Sequence, residues 1–191
     1  MPTVNYTFAN LYGTQGEGTS SINLTAGTLN LSSYTITCAS FNASNSNTRT
    51  LAFGTGSINV TGSGSTAYTT AVTAGLTVTG TPTVNITYSG TLATSVVTGN
   101  ASAANTMNFN ITAGTYTLTF MGGITNAVRS VDFTGFAGTL GATGTTSIYG
   151  DLKLSTGMTL TTSSNIMSPG ATSGTQNFTT NGKTISFPIT L

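Results

Sequence analysis

Histidine and tryptophan are absent from this chain, and charge is almost absent. Four Lys and Arg stand against three Asp and Glu, together 4% of 191 residues, where an ordinary soluble domain carries roughly 25%. The seven charges are Glu17, Arg49, Arg129, Asp132, Asp151, Lys153 and Lys183. Without imidazole, acid–base chemistry falls to three scattered carboxylates. Zinc asks for a cluster of His or Cys, and calcium for several carboxylate oxygens close together. No metal or cofactor is therefore expected. Lys and Arg are too few to neutralise phosphates, so no nucleic-acid partner is expected either. The single cysteine, Cys38, rules out an internal disulfide. Its run, YTITCASF, predicts a small buried apolar residue. No apolar stretch nears the roughly 18 residues of a membrane span. The opening MPTVNYTF lacks the basic and apolar regions of a secretory signal.

What is plentiful is threonine, 45 residues, with 24 glycines and many Ser and Asn. Low charge combined with abundant Thr, Val and Ile is not a disordered composition; it suits a pleated, half-buried surface. Period-two alternation recurs along the chain, and no segment holds a helical period. Ile22 and Leu24, Leu29 and Leu31, Ile36 and Cys38 alternate with polar residues. So do Ile58 and Val60, Leu76 and Val78, Val84 and Ile86, and Phe109 and Ile111. Leu118 and Phe120, Leu152 and Leu154, then Ile185, Phe187 and Ile189 continue the pattern. Each run ends in Gly, Ser or Asn, which permit tight turns.

Segments also repeat in order. INLTAGTLNL at 22–31 resembles FNITAGTYTL at 109–118, RTLAF at 49–53 resembles RSVDF at 129–133, and LTVTGTPTV at 76–84 resembles LKLSTGMTL at 152–160. The offsets are 87, 80 and 76 residues. This reads as a tandem unit: an N-terminal segment 1–21, one repeat over 22–108 and a second over 109–191, in one continuous array. Each unit should hold three or four coils of roughly 20–25 residues. The expected fold is all-β, a parallel β-solenoid with Thr-rich strands, apolar inside and Gly or Asn at the corners. The alternative is an antiparallel sandwich or jelly roll.

Four stretches carry a resemblance to a known family. They are SFNASNSNTRTLAFGTGSINVTGSGSTAY at 40–68, GLTVTGTPTVNITYSG at 75–90, YGDLKLSTGMTL at 149–160 and SGTQNFTTNGKTISFPITL at 173–191. They resemble repeat regions of long structural or tail-fibre-like proteins of tailed phages, notably marine and cyanobacterial ones. The resemblance covers most of the chain after residue 22. It implies a structural role in a virion or outside the cell, and it brings no catalytic or binding residues. In that family the repeat usually continues, which implies a piece of a longer array.

Few residues offer chemistry. Asp132 beside Arg129 is the strongest catalytic candidate, and a local ion pair or turn contact is its plainer reading. Asp151 and Lys153 should share a strand face as a surface pair. No catalytic, cofactor-binding or metal-ligating residue is assigned. Nine Asn-x-Ser/Thr sequons, at Asn5, Asn23, Asn30, Asn42, Asn59, Asn85, Asn100, Asn110 and Asn177, are what this composition produces by chance. The nine Phe read as core; the seven Tyr suit core, rim or a carbohydrate groove. Thr-x-Thr at 77–79, 81–83 and 117–119 could stack as an ice-binding face. The expected function is a non-enzymatic structural protein of a fibre or virion appendage, contributing to host attachment. The alternative is an extracellular carbohydrate-binding adhesin or surface filament subunit, with an ice-binding solenoid behind it. With few charged gatekeepers, strand-like TVNYTFANLY and TISFPITL at the two ends predict a homo-oligomer or filament. A cell-surface glycan is the other candidate partner.

Overall fold

The computed structural model describes residues 21–62, 66–120, 125–141, 144–161, 165–171 and 173–185, and the backbone of Asn5–Thr7. Side chains of 165–168 are not described. The expected strands at the C-terminal end, including Phe187 and Ile189, and most of the N-terminal segment, including Glu17, lie outside these residues.

The fold is a parallel β-solenoid. Every strand pairing among the described residues is parallel, which excludes the sandwich and jelly roll. The described helical structure is one three-residue 3-10 turn, Ala103–Asn105. The coils present three faces in turn, and most described coils give each face a strand. The first face stacks Asn5–Thr7, Gly27–Asn30, Arg49–Ala52 and Leu76–Thr79. The same place in later coils is taken by Asn126–Val128, Gly144–Ile148 and Asn165–Pro169, a separate three-stranded sheet. The second face stacks Thr35–Cys38, Ser57–Val60, Thr83–Ile86, Asn108–Ile111, Val131–Asp132, Leu152–Lys153 and Phe178–Thr179. The third stacks Ser21–Asn23, Ser40–Asn42, Tyr68–Thr69, Thr94–Val97, Thr117–Phe120, Thr139–Gly141 and Thr159–Leu160.

Register follows the apolar alternation. On the second face Ile36, Ile58, Val84, Phe109, Val131, Leu152 and Phe178 stand in one row. The steps between them are 22, 26, 25, 22, 21 and 26 residues, so coil length matches the expected 20–25 closely. Seven rungs span six turns, or about 29 Å at the usual strand spacing. Inward side chains from all three faces merge into one hydrophobic cluster that runs from Leu24 to Met158. Burying each Val, Leu, Ile or Phe contributes about 1.5–3 kcal/mol, and the column has no other source of comparable size.

Aromatic rings thread this column. Phe41 stacks on Tyr68, which meets Phe109 edge-on, each at 5.3 Å between centroids. The series continues through Phe120, Phe133, Phe136 and Tyr116 to Tyr88, with adjacent rings 5.1–6.2 Å apart. Phe178, expected in the core, is instead 38% exposed.

Corners are tight. Gly54 has φ +58°, and a Cβ there would stand 2.0 Å from the Ser32 carbonyl oxygen of the coil before. Ser32 turns the preceding corner with φ +55°, helped by its amide donating to Asn30 Oδ1 at 3.0 Å.

The matched segments do not occupy matching places. Ile22 lies on the third face and its counterpart Phe109 on the second. Leu51 lies on the first face and Val131 on the second; Leu76 lies on the first and Leu152 on the second. Several corners place Gly between two short alternating strands, as at Gly54 and Gly80, while others such as Leu31–Tyr34 have none, so segments from different faces can resemble one another in sequence. The likeness marks a recurring corner more than a whole number of coils.

Candidate functional site

Among the described residues, polar side chains that bond to protein gather most in two columns. The first is the column of loops joining the third face to the first. Here the chain leaves the sheets, and its backbone groups need other partners. Asn45 Nδ2 donates to the Leu24 carbonyl at 3.0 Å and Asn47 Nδ2 to that of Thr25 at 2.9 Å, one coil back. The Val72 amide donates to Ser44 Oγ at 3.1 Å.

Arg49 sits at the centre of this column. It occupies an inward strand position, in one row with Gly27 and Leu76, and is fully buried. Gly27 has no side chain to fill the space beneath it. Among the described residues the guanidinium finds no carboxylate. Nε donates to the Ala43 carbonyl; Nη1 donates to those of Asn47 at 2.9 Å and Ala74 at 2.8 Å; Nη2 donates to that of Val72. Four carbonyl dipoles stand in for a counter-ion. Burial lowers the proton affinity of the group, yet a guanidinium stays protonated in proteins.

A similar substitution occurs where the first face is interrupted. After Leu76–Thr79 no strand follows at once; the turn Ala103–Asn105 takes its place. Asn105 Oδ1 accepts from the Val78 amide at 3.0 Å, and its Nδ2 donates to the Leu76 carbonyl at 3.2 Å. One side-chain amide thus continues the backbone ladder. Beyond it, Asn126 Oδ1 accepts from the Thr98 amide at 3.0 Å and Thr98 Oγ1 from the Ala127 amide at 3.2 Å. Gln176 does the same lower down, donating to the carbonyls of Ile148 and Gly150 at 2.7 and 2.9 Å.

The second place is an outward row on the second face. Asn110 Nδ2 donates to Asn85 Oδ1 at 2.9 Å, and Asn85 Nδ2 to Asn59 Oδ1 at 2.8 Å. Asp132 and Lys153 continue the row and pair at 3.4 Å. This corrects two expectations. Asp132 pairs with Lys153 in the next rung and not with Arg129, and Lys153 pairs across rungs and not along its strand with Asp151. Parallel stacking places residues 21 apart side by side, which sequence neighbours cannot reveal. Asp132 Oδ1 also accepts from the Thr134 amide at 2.7 Å, so the turn reading holds. Partial burial raises the Asp132 carboxyl, but Thr134 and the Lys153 ammonium outweigh it and hold the group below its ordinary value. Asp151 Oδ1 accepts from the Asn177 backbone amide and side chain at 2.8 and 3.1 Å.

Cys38 is buried as expected, and burial pushes its thiol up to about 12. The three Thr-x-Thr segments do not stack: 77–79 lies on the first face, 81–83 rounds the corner to the second, and 117–119 lies on the third. Separate single ranks exist instead, Thr28–Thr50–Thr77 on the first face and Thr117–Thr139–Thr159 on the third. Among the described residues no three His, Cys, Asp or Glu gather as a metal set, and no helix is long and apolar enough to cross a membrane. Arg49, Asn105 and Gln176 carry more of the polar architecture than sequence reasoning assigned them. The one early signal was Arg49 in an otherwise uncharged hundred residues.

Compared with known proteins, the chain matches no family model, no curated protein and no solved structure.

Proposed function

We propose that this chain is a non-enzymatic structural segment of a fibre, a virion appendage that helps present an attachment surface to a host. Continuity of the core carries the reading. One hydrophobic column joins the rungs; where the first sheet breaks, Asn105 continues the bonding pattern, and Arg49 ties two successive loops together. Such a body resists bending and adds length by adding coils. The carboxylates favour the same conclusion. Asp132 and Asp151 are each engaged by protein donors, and the chain holds no histidine to complement them. The resemblance of four segments to phage fibre repeats points to a virion. Deleting the coding sequence in its source should shorten or remove an appendage while polysaccharide-cleaving activity stays unchanged. An unaltered appendage, or a lost hydrolase or lyase activity, would overturn the reading.

A second reading draws on the surface. Between residues 21–62 and 66–120 the one charge is Arg49, and it is buried. An uncharged exterior of hydroxyls and amides fits a neutral glycan, as in a carbohydrate-binding adhesin. Glycan binding insensitive to salt would support it.

A further inference from the structure

We propose that the carbonyl ring around Arg49 is a guanidinium site, filled by the chain's own side chain, that locks the register of successive coils. Period-two alternation forbids a slip by one residue, because that would turn the core outward. It does not forbid a slip by two. After such a slip apolar positions still face inward, and outward rows of Thr, Ser and Asn still face outward. This composition therefore leaves even slips weakly opposed, and some other contact has to set the phase.

Arg49 provides it. Its acceptors come from two consecutive loops: Ala43 and Asn47 from one, Val72 and Ala74 from the next. Asn45 and Asn47 extend the tie to a third loop through Leu24 and Thr25. A two-residue slip moves a strand by about 6.6 Å. That distance would carry the guanidinium away from the carbonyls of the neighbouring coil and leave a buried cation without acceptors. The planar fork matters as well as the charge. Four of the five N–H groups have an acceptor in the ring, a pattern an ammonium with three donors cannot reproduce. No exposed salt bridge would serve, because water would satisfy the slipped state equally well.

Arg49 and Arg129 are the only arginines, so the intact protein gives a direct test. In nitrogen-resolved spectra, with Arg129→Lys for assignment, the Arg49 Nε–H should exchange with solvent at least ~100-fold more slowly than that of Arg129. Equal exchange of the two would overturn the proposal. Chemical rescue is the second arm. Arg49→Ala should melt lower than the native chain, and about 20 mM guanidinium chloride should recover at least half of that loss, where the same concentration of sodium or methylammonium chloride does not. At that concentration guanidinium should leave the native chain unchanged, since its site is filled. Melting of Arg49→Ala that responds alike to all three salts would refute a guanidinium site. Should Arg49→Ala fail to fold, refolding it with and without guanidinium applies the same criterion, and Arg49→Lys should fold with a lowered, unrescued melting temperature.

Discussion

Asn105 continues a backbone ladder with a side chain, and removing it has a calculable cost. Asn105→Ala deletes two hydrogen bonds, at 3.0 Å from the Val78 amide and 3.2 Å to the Leu76 carbonyl. Each is worth about 1 kcal/mol net, so their loss costs about 2 kcal/mol. Leu76 and Val78 are 4% and 6% exposed. Water reaches their backbone poorly, and leaving buried groups unmet raises the cost toward about 4 kcal/mol. Ala keeps the 3-10 turn itself, because the Asn105 amide still donates to the Ser102 carbonyl. Global melting would blur the effect, since a solenoid need not unfold in one step. Native-state hydrogen exchange at the Val78 amide reads it locally. A loss of 2 kcal/mol is about a 30-fold faster exchange, and Asn105→Asp, which keeps the acceptor, should lose less. If Val78 in Asn105→Ala exchanges within about threefold of the native rate, the ladder argument fails.

Four further outcomes are expected. Gly54→Ala should destabilise by more than about 3 kcal/mol because positive φ and a 2.0 Å clash act together, whereas Gly174→Ala, at φ +86° with nothing within 4 Å, should cost about 1 kcal/mol; urea titration compares them. Tyr116 is buried with its hydroxyl unpartnered, so Tyr116→Phe should stabilise the fold by about 1 kcal/mol in the same titration. The Cys38 thiol should resist alkylation at pH 8 until the chain unfolds; its raised value also means stability is full below the ordinary thiol range of about 8.5 and declines as pH rises toward 12. Asp132 is shifted the other way, so its contribution is present above the ordinary carboxylate range and fades as pH falls through its lowered value; Asp132→Asn should flatten that acid limb of the stability profile.

The strands and the direction of their side chains were readable from composition and alternation. Ile36 and Cys38, Ile58 and Val60, and Val84 and Ile86 all point inward as their spacing required. Phe178 departed from that pattern, at 38% exposure on the last described rung of its face. Coil length was legible only approximately, because it varies from 19 residues (Ile22 to Phe41) to 28 (Tyr68 to Val96) with the size of each corner. The polar network was hidden. Threonine serves on both sides of the wall: Thr77 and Thr117, set between inward apolar residues, are exposed as alternation requires, while Thr98 and Thr106, outside such runs, are buried. Asn85 between Val84 and Ile86 could be placed on the outside, but nothing around Asn105 signalled that its side chain would replace a strand. Pairings such as Asp132 with Lys153 depend on register, and register depends on which residues fill each corner.

The measurement that tests the structural role most directly is cryo-electron microscopy of the native particle or filament, labelled with an antibody against this chain. Label is expected along the shaft of an appendage, and averaged shafts should show a layer line at about 4.8 Å along their axis. Label on free protein or within a capsid, or a labelled shaft without that spacing, would contradict it.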